Sequence, residues 1–195
     1  MTTVRAGTDK SAWRRAVLSR RAALPADERD RAEQAAVDAL VPIVTGRVAA
    51  YLSVGTEPGT AALLAALAAR SVEVLLPVLL PDRDLDWALA GQGTALGPHG
   101  LQEPQGERLG RDAVADCTLV VVPALAVDRD GNRLGRGGGS YDRALSRALG
   151  QVVALLHDGE AVPELPVEPH DRPVHALVTP RRGLVRLRND SGEDA

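Results

Sequence analysis

The sequence predicts a single-domain three-layer α/β/α sandwich with a mainly parallel sheet. Short apolar runs alternate along the chain with helical stretches, and runs such as 118–122 do not alternate between apolar and polar residues. Such strands are typical of a sheet that is covered by helices on both faces. The 195 residues, 45% of them hydrophobic, suffice for one such core. We therefore predict one domain over 1–187 and a polar, disordered tail over 188–195.

The chain is predicted to begin with two helices. Asp9 can cap a helix that reaches about Leu24, and Pro25 can open a second helix that reaches about Val41. Strands are then predicted at 48–52, 72–76, 85–89, 118–122, 152–156 and 174–178, with helices at 60–70 and 140–149. Gly150 stands where a helix C-terminus needs a left-handed residue.

Composition and charge exclude several classes of protein. A net charge of -3 argues against a protein whose main task is to bind nucleic acid. No uncharged apolar run approaches the roughly 18 residues of a membrane span, and charged residues near the start exclude a signal peptide. We expect a cytoplasmic protein with small-molecule partners, monomeric or alternatively dimeric. The one cysteine, Cys117, begins an apolar run and is interpreted as a buried structural thiol.

The most informative segment is Gly-Asn-Arg-Leu-Gly-Arg-Gly-Gly-Gly-Ser-Tyr-Asp-Arg at 131–143, which lies between a predicted strand and a predicted helix. Glycines allow backbone N–H groups to face an anion, and Arg133 and Arg136 can donate to phosphate oxygens. The segment lacks the Gly-Lys-Ser/Thr of a P-loop. It predicts an anion-binding loop, with a flexible glycine-rich connection as the alternative.

Charged residues elsewhere could complete such a site. Asp142 falls in the first turn of the following helix, where a carboxylate beside a phosphate would need a divalent cation between them. Asp171 could be a second Mg²⁺ ligand or a turn residue. Lys10 and Arg14 share a helix face, where a solvated surface pair is the ordinary interpretation of their spacing. The alternative is a shared phosphate, which would turn their mutual repulsion into joint binding. Glu57 follows a strand at the crevice position of α/β sheets, or is an exposed loop glutamate.

Ordered motifs along the chain resemble the 5-formyltetrahydrofolate cyclo-ligase family, also called 5,10-methenyltetrahydrofolate synthetases. The matching motifs are Lys10-x-x-x-Arg14, Tyr51-Leu52-Ser53-x-x-x-Glu57, Leu101-x-Glu103-Pro104, and the segment from Val122 to Asp128 followed by 131–142. The resemblance implies a fold shared with ribose-5-phosphate isomerases and CoA transferases. It also implies conversion of 5-formyltetrahydrofolate to 5,10-methenyltetrahydrofolate, with ATP as co-substrate, Mg²⁺ as cofactor, and release of ADP and phosphate.

The resemblance carries a set of site residues over to this sequence. The implied catalytic cations are Lys10, Arg14, Arg133 and Arg136. The implied ATP site comprises Lys10, Arg14, Arg133, Leu134, Gly135, Arg136, Gly137, Gly138, Gly139, Ser140 and Tyr141. The implied folate site comprises Leu52, Glu57, Arg136, Gly137, Gly138, Gly139 and Ser140, and the implied metal ligands are Asp142 and Asp171.

Two positions depart from the family pattern. Ser140 stands where the family commonly has an aromatic residue, and His99 stands where some members have a tryptophan. Both departures remove aromatic area that could pack on a pterin. The alternative function is therefore a non-catalytic folate- or nucleotide-binding paralogue, and a third is a sugar-phosphate or CoA-ester enzyme of the same fold group.

Overall fold

The computed structural model describes residues 9–97 and 100–187, so the predicted tail 188–195 and His99 lie outside the described residues. The α-helices are α1 (Lys10–Ala22), α2 (Ala26–Leu40), α3 (Ala61–Ala69) and α4 (Ser140–Leu145). The strands are β1 (Val48–Ala49), β2 (Val74–Leu79), β3 (Leu85–Leu89), β4 (Thr94–Leu96), β5 (Gln102–Pro104), β6 (Leu119–Pro123), β7 (Ala126–Val127), β8 (Arg133–Leu134), β9 (Gln151–Leu155), β10 (Ala176–Thr179) and β11 (Gly183–Arg186). In this part of the chain, no helix combines the length and apolar character needed to span a bilayer.

Seven of the strands form one sheet in the order β11-β10-β9-β6-β1-β2-β3. The strands from β10 to β2 pair in parallel with their neighbours. Only β3 and β11, at the two edges, pair antiparallel. The central strands are buried along almost their whole length. The mainly parallel sheet predicted from the non-alternating apolar runs is therefore confirmed.

Helices cover both faces of this sheet. On one face, Leu40 of α2 and Leu63 and Leu67 of α3 pack with sheet residues in a single buried cluster. On the other face, Leu145 of α4 and Val114 of a 3-10 helix (Arg111–Asp116) belong to a second cluster. The predicted three-layer α/β/α sandwich is confirmed.

Helix α1 packs away from the main sheet, against the small β7–β8 hairpin. Trp13 and Val17 form its buried face, and they lie in a third cluster with Leu125, Leu134 and Leu165. These three partners come from the second half of the chain, so α1 is held by residues distant in sequence. This packing fixes the helix that carries Lys10 and Arg14.

Several local predictions were wrong. Helix α1 starts at the predicted position, but the Asp9 side chain makes no capping hydrogen bond. Helix α4 ends at Leu145, four residues before its predicted end, and Gly150 is not left-handed. Gly150 instead lies so close to the neighbouring strand that an added Cβ would overlap the Cys117 carbonyl oxygen and the Thr118 backbone. A glycine is needed there because two backbones meet, not because a helix ends.

Candidate functional site

A cleft of about 880 Å³ opens at the carboxyl ends of the central parallel strands. Tyr51 and Leu52 follow β1, and Pro123 ends β6; all three line the cleft. The carboxyl ends of parallel strands are where open α/β sheets bind ligands. Every residue that the sequence predicted for the ATP, folate and metal sites lines this one cleft.

The glycine loop, residues 135–139, forms one wall of the cleft between β8 and α4. Gly137 and Gly139 have φ of 100° and 72°, a region that favours glycine. The amides of Gly137, Gly138 and Gly139 donate to no acceptor within the described residues, so they can meet an anionic ligand. Helix α4 is only six residues long, so its dipole adds less than its predicted length implies.

Lys10 and Arg14 of α1 both reach the cleft, and each donates hydrogen bonds to different partners. The Nζ of Lys10 donates to Glu168 Oε2 at 2.6 Å and to Asp171 Oδ2 at 2.7 Å. Burial acts to lower the pKa of Lys10, but Asp171 and Glu168 outweigh it and raise this pKa above its usual value. The Nε of Arg14 donates to the Gly135 carbonyl at 2.9 Å, which places its guanidinium against the glycine loop. The predicted mutual repulsion of the two cations is thus relieved by carboxylates and carbonyls of the protein itself.

Arg133 is buried beneath the glycine loop, and its guanidinium donates hydrogen bonds to other atoms of the protein. Its Nη2 donates to Asp142 Oδ1 at 2.9 Å, and its Nη1 donates to the Pro123 carbonyl at 3.3 Å. The guanidinium also lies 5.7 Å from the centroid of the Tyr141 ring, within range of a cation–π contact. Both Nη groups therefore serve to orient Asp142 and the end of β6.

Carboxylates gather at the side of the cleft nearest Lys10. One ligand atom from each of Glu168, His170 and Asp171 lies within 4.8 Å of the others. Burial acts to raise the pKa of Asp171, but the hydrogen bonds from Lys10 and from the Glu168 amide, together with the nearby Lys10 charge, outweigh it and hold this pKa below its usual value. Asp142 adjoins the same segment, since its Oδ1 accepts the Arg172 amide at 3.4 Å. Oxygen donors of this kind fit Mg²⁺, which prefers carboxylates together with phosphate oxygens.

Glu57 lines the cleft beside the glycine loop, and both of its carboxylate oxygens accept hydrogen bonds. Oε2 accepts the Val54 amide at 2.9 Å, and Oε1 accepts Nε of Arg136 at 3.1 Å. The Glu57 side chain is only 10% exposed, although Arg136 is about half exposed. Burial, together with the nearby Glu57 charge, raises the pKa of Tyr141, so that phenol stays neutral. Glu57 is thus a fixed carboxylate at the wall of the cleft, not the exposed loop residue of the alternative interpretation.

Sequence reasoning missed several residues of the cleft. Arg143, Arg172 and Glu103 line it, and Glu168 is the second partner of Lys10. Signals were available for all four, because Glu168 and Arg172 lie near Asp171 in the chain, Arg143 follows Asp142, and Glu103 belongs to a matching motif. Ser140 lines the cleft as predicted. Cys117 is buried away from it, and burial raises the pKa of its thiol to about 12, which supports a structural role.

The chain is similar to known proteins along almost its whole length. The model of the 5-formyltetrahydrofolate cyclo-ligase family matches residues 6–180. A 5-formyltetrahydrofolate cyclo-ligase of Mycolicibacterium smegmatis is 41% identical over 189 residues, covering 92% of this chain and 97% of that protein. The protein of the same name from Escherichia coli (strain K12) is 34% identical over 179 residues, covering 84% of this chain and 95% of its own.

Solved structures match the fold as well. The 5,10-methenyltetrahydrofolate synthetase of Aquifex aeolicus superposes with a TM-score of 0.80 at 28% identity, covering 95% of this chain and 96% of that one. The synthetase of Mycoplasma pneumoniae has a TM-score of 0.70 at 18% identity, covering 87% and 98% of the two chains, and shows the shared fold.

Proposed function

The chain belongs to the 5-formyltetrahydrofolate cyclo-ligase family, and we propose that it uses ATP to convert 5-formyltetrahydrofolate into 5,10-methenyltetrahydrofolate. One observation carries the proposal for this chain. A single cleft holds both a cation-rich glycine loop suited to a triphosphate and, beside it, a fixed carboxylate, Glu57, suited to the hydrogen-bond donors of a pterin. The two reactants would therefore meet within one enclosed space, as a transfer between them requires.

On the nucleotide side, Arg14, Arg136 and the loop amides would bind the phosphate oxygens of ATP. Phosphoryl transfer needs mainly positioning and neutralisation of charge, which cations and backbone amides supply. Lys10 would join them by exchanging its present carboxylate partners for phosphate. Arg133 would act chiefly by orienting Asp142, because its Nη groups are engaged with protein atoms.

Asp142 and Asp171 would hold Mg²⁺, with Glu168 beside them. The fit rests on the donor set: carboxylate oxygens line the cleft where Lys10 and Arg133 now balance their charge. When bound, Mg²⁺ neutralises charge on the phosphate oxygens. A test apart from turnover is ATP affinity: Mg²⁺ should strengthen ATP binding to the wild type and do so much less in Asp142→Ala.

On the folate side, Glu57 would accept hydrogen bonds from the pterin and fix its orientation. Leu52 supplies apolar surface beside it, and Ser140 leaves more room than an aromatic residue would. Folate affinity should therefore depend on Glu57 more than on stacking.

The reaction then proceeds in two steps. The formyl oxygen attacks the γ-phosphorus of ATP, the bond from that phosphorus to the ADP oxygen breaks, and ADP leaves. N10 next attacks the formyl carbon and loses its proton, the carbon–oxygen bond to the phosphate breaks, and inorganic phosphate leaves. The carbon is left bonded to N5 and N10 as the methenyl bridge.

The experiment is to mix the purified protein with 5-formyltetrahydrofolate, ATP and Mg²⁺, and to follow methenyl absorbance together with phosphate release. We expect both signals in equal amounts. Folate binding without either signal would favour the non-catalytic paralogue, and absence of folate binding would refute both interpretations.

A further inference from the structure

A buried carboxylate lies behind the cleft and is not used by the proposed reaction. Glu160 is fully buried and accepts a forked pair of bonds from Arg21, Nε to Oε1 at 2.8 Å and Nη2 to Oε2 at 2.7 Å. Arg20 reaches the same carboxylate at 3.1 Å. Glu160 therefore ties α1 to the segment that follows β9.

His157 continues this network toward the folate side of the cleft. Its backbone amide donates to Glu160 Oε2 at 2.9 Å, and its ring Nε2 lies 3.1 Å from the Thr56 carbonyl oxygen. A carbonyl can only accept, so Nε2 must carry the proton. The ring is buried, and burial lowers the pKa of His157, so it is neutral with its Nδ1 unprotonated.

Thr56 is the residue before Glu57, in a turn that is also held by the bond from Arg136 to Glu57 and, just after it, by the bond from Tyr51 to the Pro58 carbonyl. Within the turn, the Glu57 amide donates to the Val54 carbonyl at 3.3 Å, and Gly55 has a φ of 63°. Val54 and Gly55 are exposed to solvent. The bond from His157 is the contact that joins this turn to the buried network on its inner side.

The cost of this arrangement points to a role beyond filling space. Nδ1 of His157 is buried and has no hydrogen-bond partner within residues 9–97 and 100–187. An unpaired buried polar atom destabilises the folded state, whereas a leucine would fill a similar volume without that cost. What leucine would lack is the donor to Thr56.

We propose that His157 is a positioning residue: through the Thr56 carbonyl it holds the Glu57 carboxylate at the depth where the folate binds. This inference rests on the proposed function. The larger effect is expected on folate binding, because Glu57 would contact the pterin itself and meets the phosphate-binding groups through its bond from Arg136 Nε.

The test compares His157→Leu, His157→Gln and His157→Asn in steady-state kinetics. Leucine removes the donor and should raise the KM for 5-formyltetrahydrofolate roughly fivefold to tenfold, the value of one net hydrogen bond. Glutamine places an N–H near the position of Nε2 and should restore most of the loss, whereas asparagine is one methylene shorter and should not. The KM for ATP and kcat should stay within about twofold in all three. Val114→Ala, a buried change outside the cleft lining, is the control for lost stability alone.

Each outcome decides between the two proposals. A wild type that neither binds nor converts 5-formyltetrahydrofolate refutes the proposed function. An active wild type whose folate KM is the same in all variants overturns the positioning role. So does an increase that is equal for glutamine and asparagine or equal for folate and ATP, because a structural defect alone would produce it. If His157→Leu fails to fold, the comparison of glutamine with asparagine still decides.

Discussion

Alanine at Gly137, compared with alanine at the neighbouring Gly138, tests the geometry of the loop that we propose binds phosphate. Gly137 has a φ of 100°, and a Cβ there would lie 3.3 Å from the Arg14 guanidinium carbon. A side chain held in such a conformation costs about 1–3 kcal/mol. Gly138 has ordinary backbone geometry, and the nearest contact of a Cβ there is Ser140 Oγ at 3.7 Å. Gly138→Ala should therefore change little.

If Gly137→Ala relieves its strain by moving the loop, ATP binding must restore the native conformation. The same 1–3 kcal/mol then weakens ATP affinity roughly fivefold to more than a hundredfold. Isothermal titration with ATP and Mg²⁺ measures this affinity, and urea denaturation measures any part of the strain that remains in the folded state. The reasoning fails if the two alanine variants bind ATP equally and are equally stable.

Further predictions concern the charged groups around the cleft. Lys10→Met should weaken ATP binding at least roughly tenfold, as measured by titration calorimetry, because a charge-assisted hydrogen bond is lost. A fully active Lys10→Arg would show that only the positive charge is needed. The pKa of Asp171 is lower in the folded protein than its usual value of 3.8. Its charge therefore stabilises the fold at pH values above 3.8, and this stabilisation is lost as the pH falls through the folded-state pKa. In Asp171→Asn, the unfolding free energy measured in urea should therefore depend less on pH in this acidic range; an unchanged dependence contradicts the argument. Glu160→Leu should lower that free energy by about 3–5 kcal/mol because it leaves Arg21 unpaired, and Arg21→Met in the same chain should recover most of the loss; additive losses would refute the pairing.

The elements that could be predicted from the sequence are those with long apolar patterns. The strand at 85–89 was predicted with the bounds it has, and α2 within one residue at its C-terminal end. The β4–β5 and β7–β8 hairpins were missed because strands of two or three residues carry no recognisable period. Strand β1 has only two residues where five were predicted, since apolar character continues beyond its paired residues.

At the site, residue types could be predicted but their pairings could not. The family resemblance assigned Lys10, Asp171 and Arg133 to one site. No local pattern shows that Lys10 is paired with residues about 160 positions away, or that Arg133 is occupied by Asp142. Such pairings depend on how the helices pack, which is a property of the whole fold.

Helix α1 precedes in the chain every element that holds it. Each hydrogen bond from its side chains to another described element reaches a residue more than 100 positions later, and its apolar face packs on Leu125, Leu134 and Leu165. At about 5–20 residues per second on the ribosome, several seconds or more pass between the synthesis of this helix and the synthesis of these partners. If ATP binds as proposed, a nascent polypeptide cannot engage nucleotide in the native way before the residues that hold this helix, as far as Asp171, have been made.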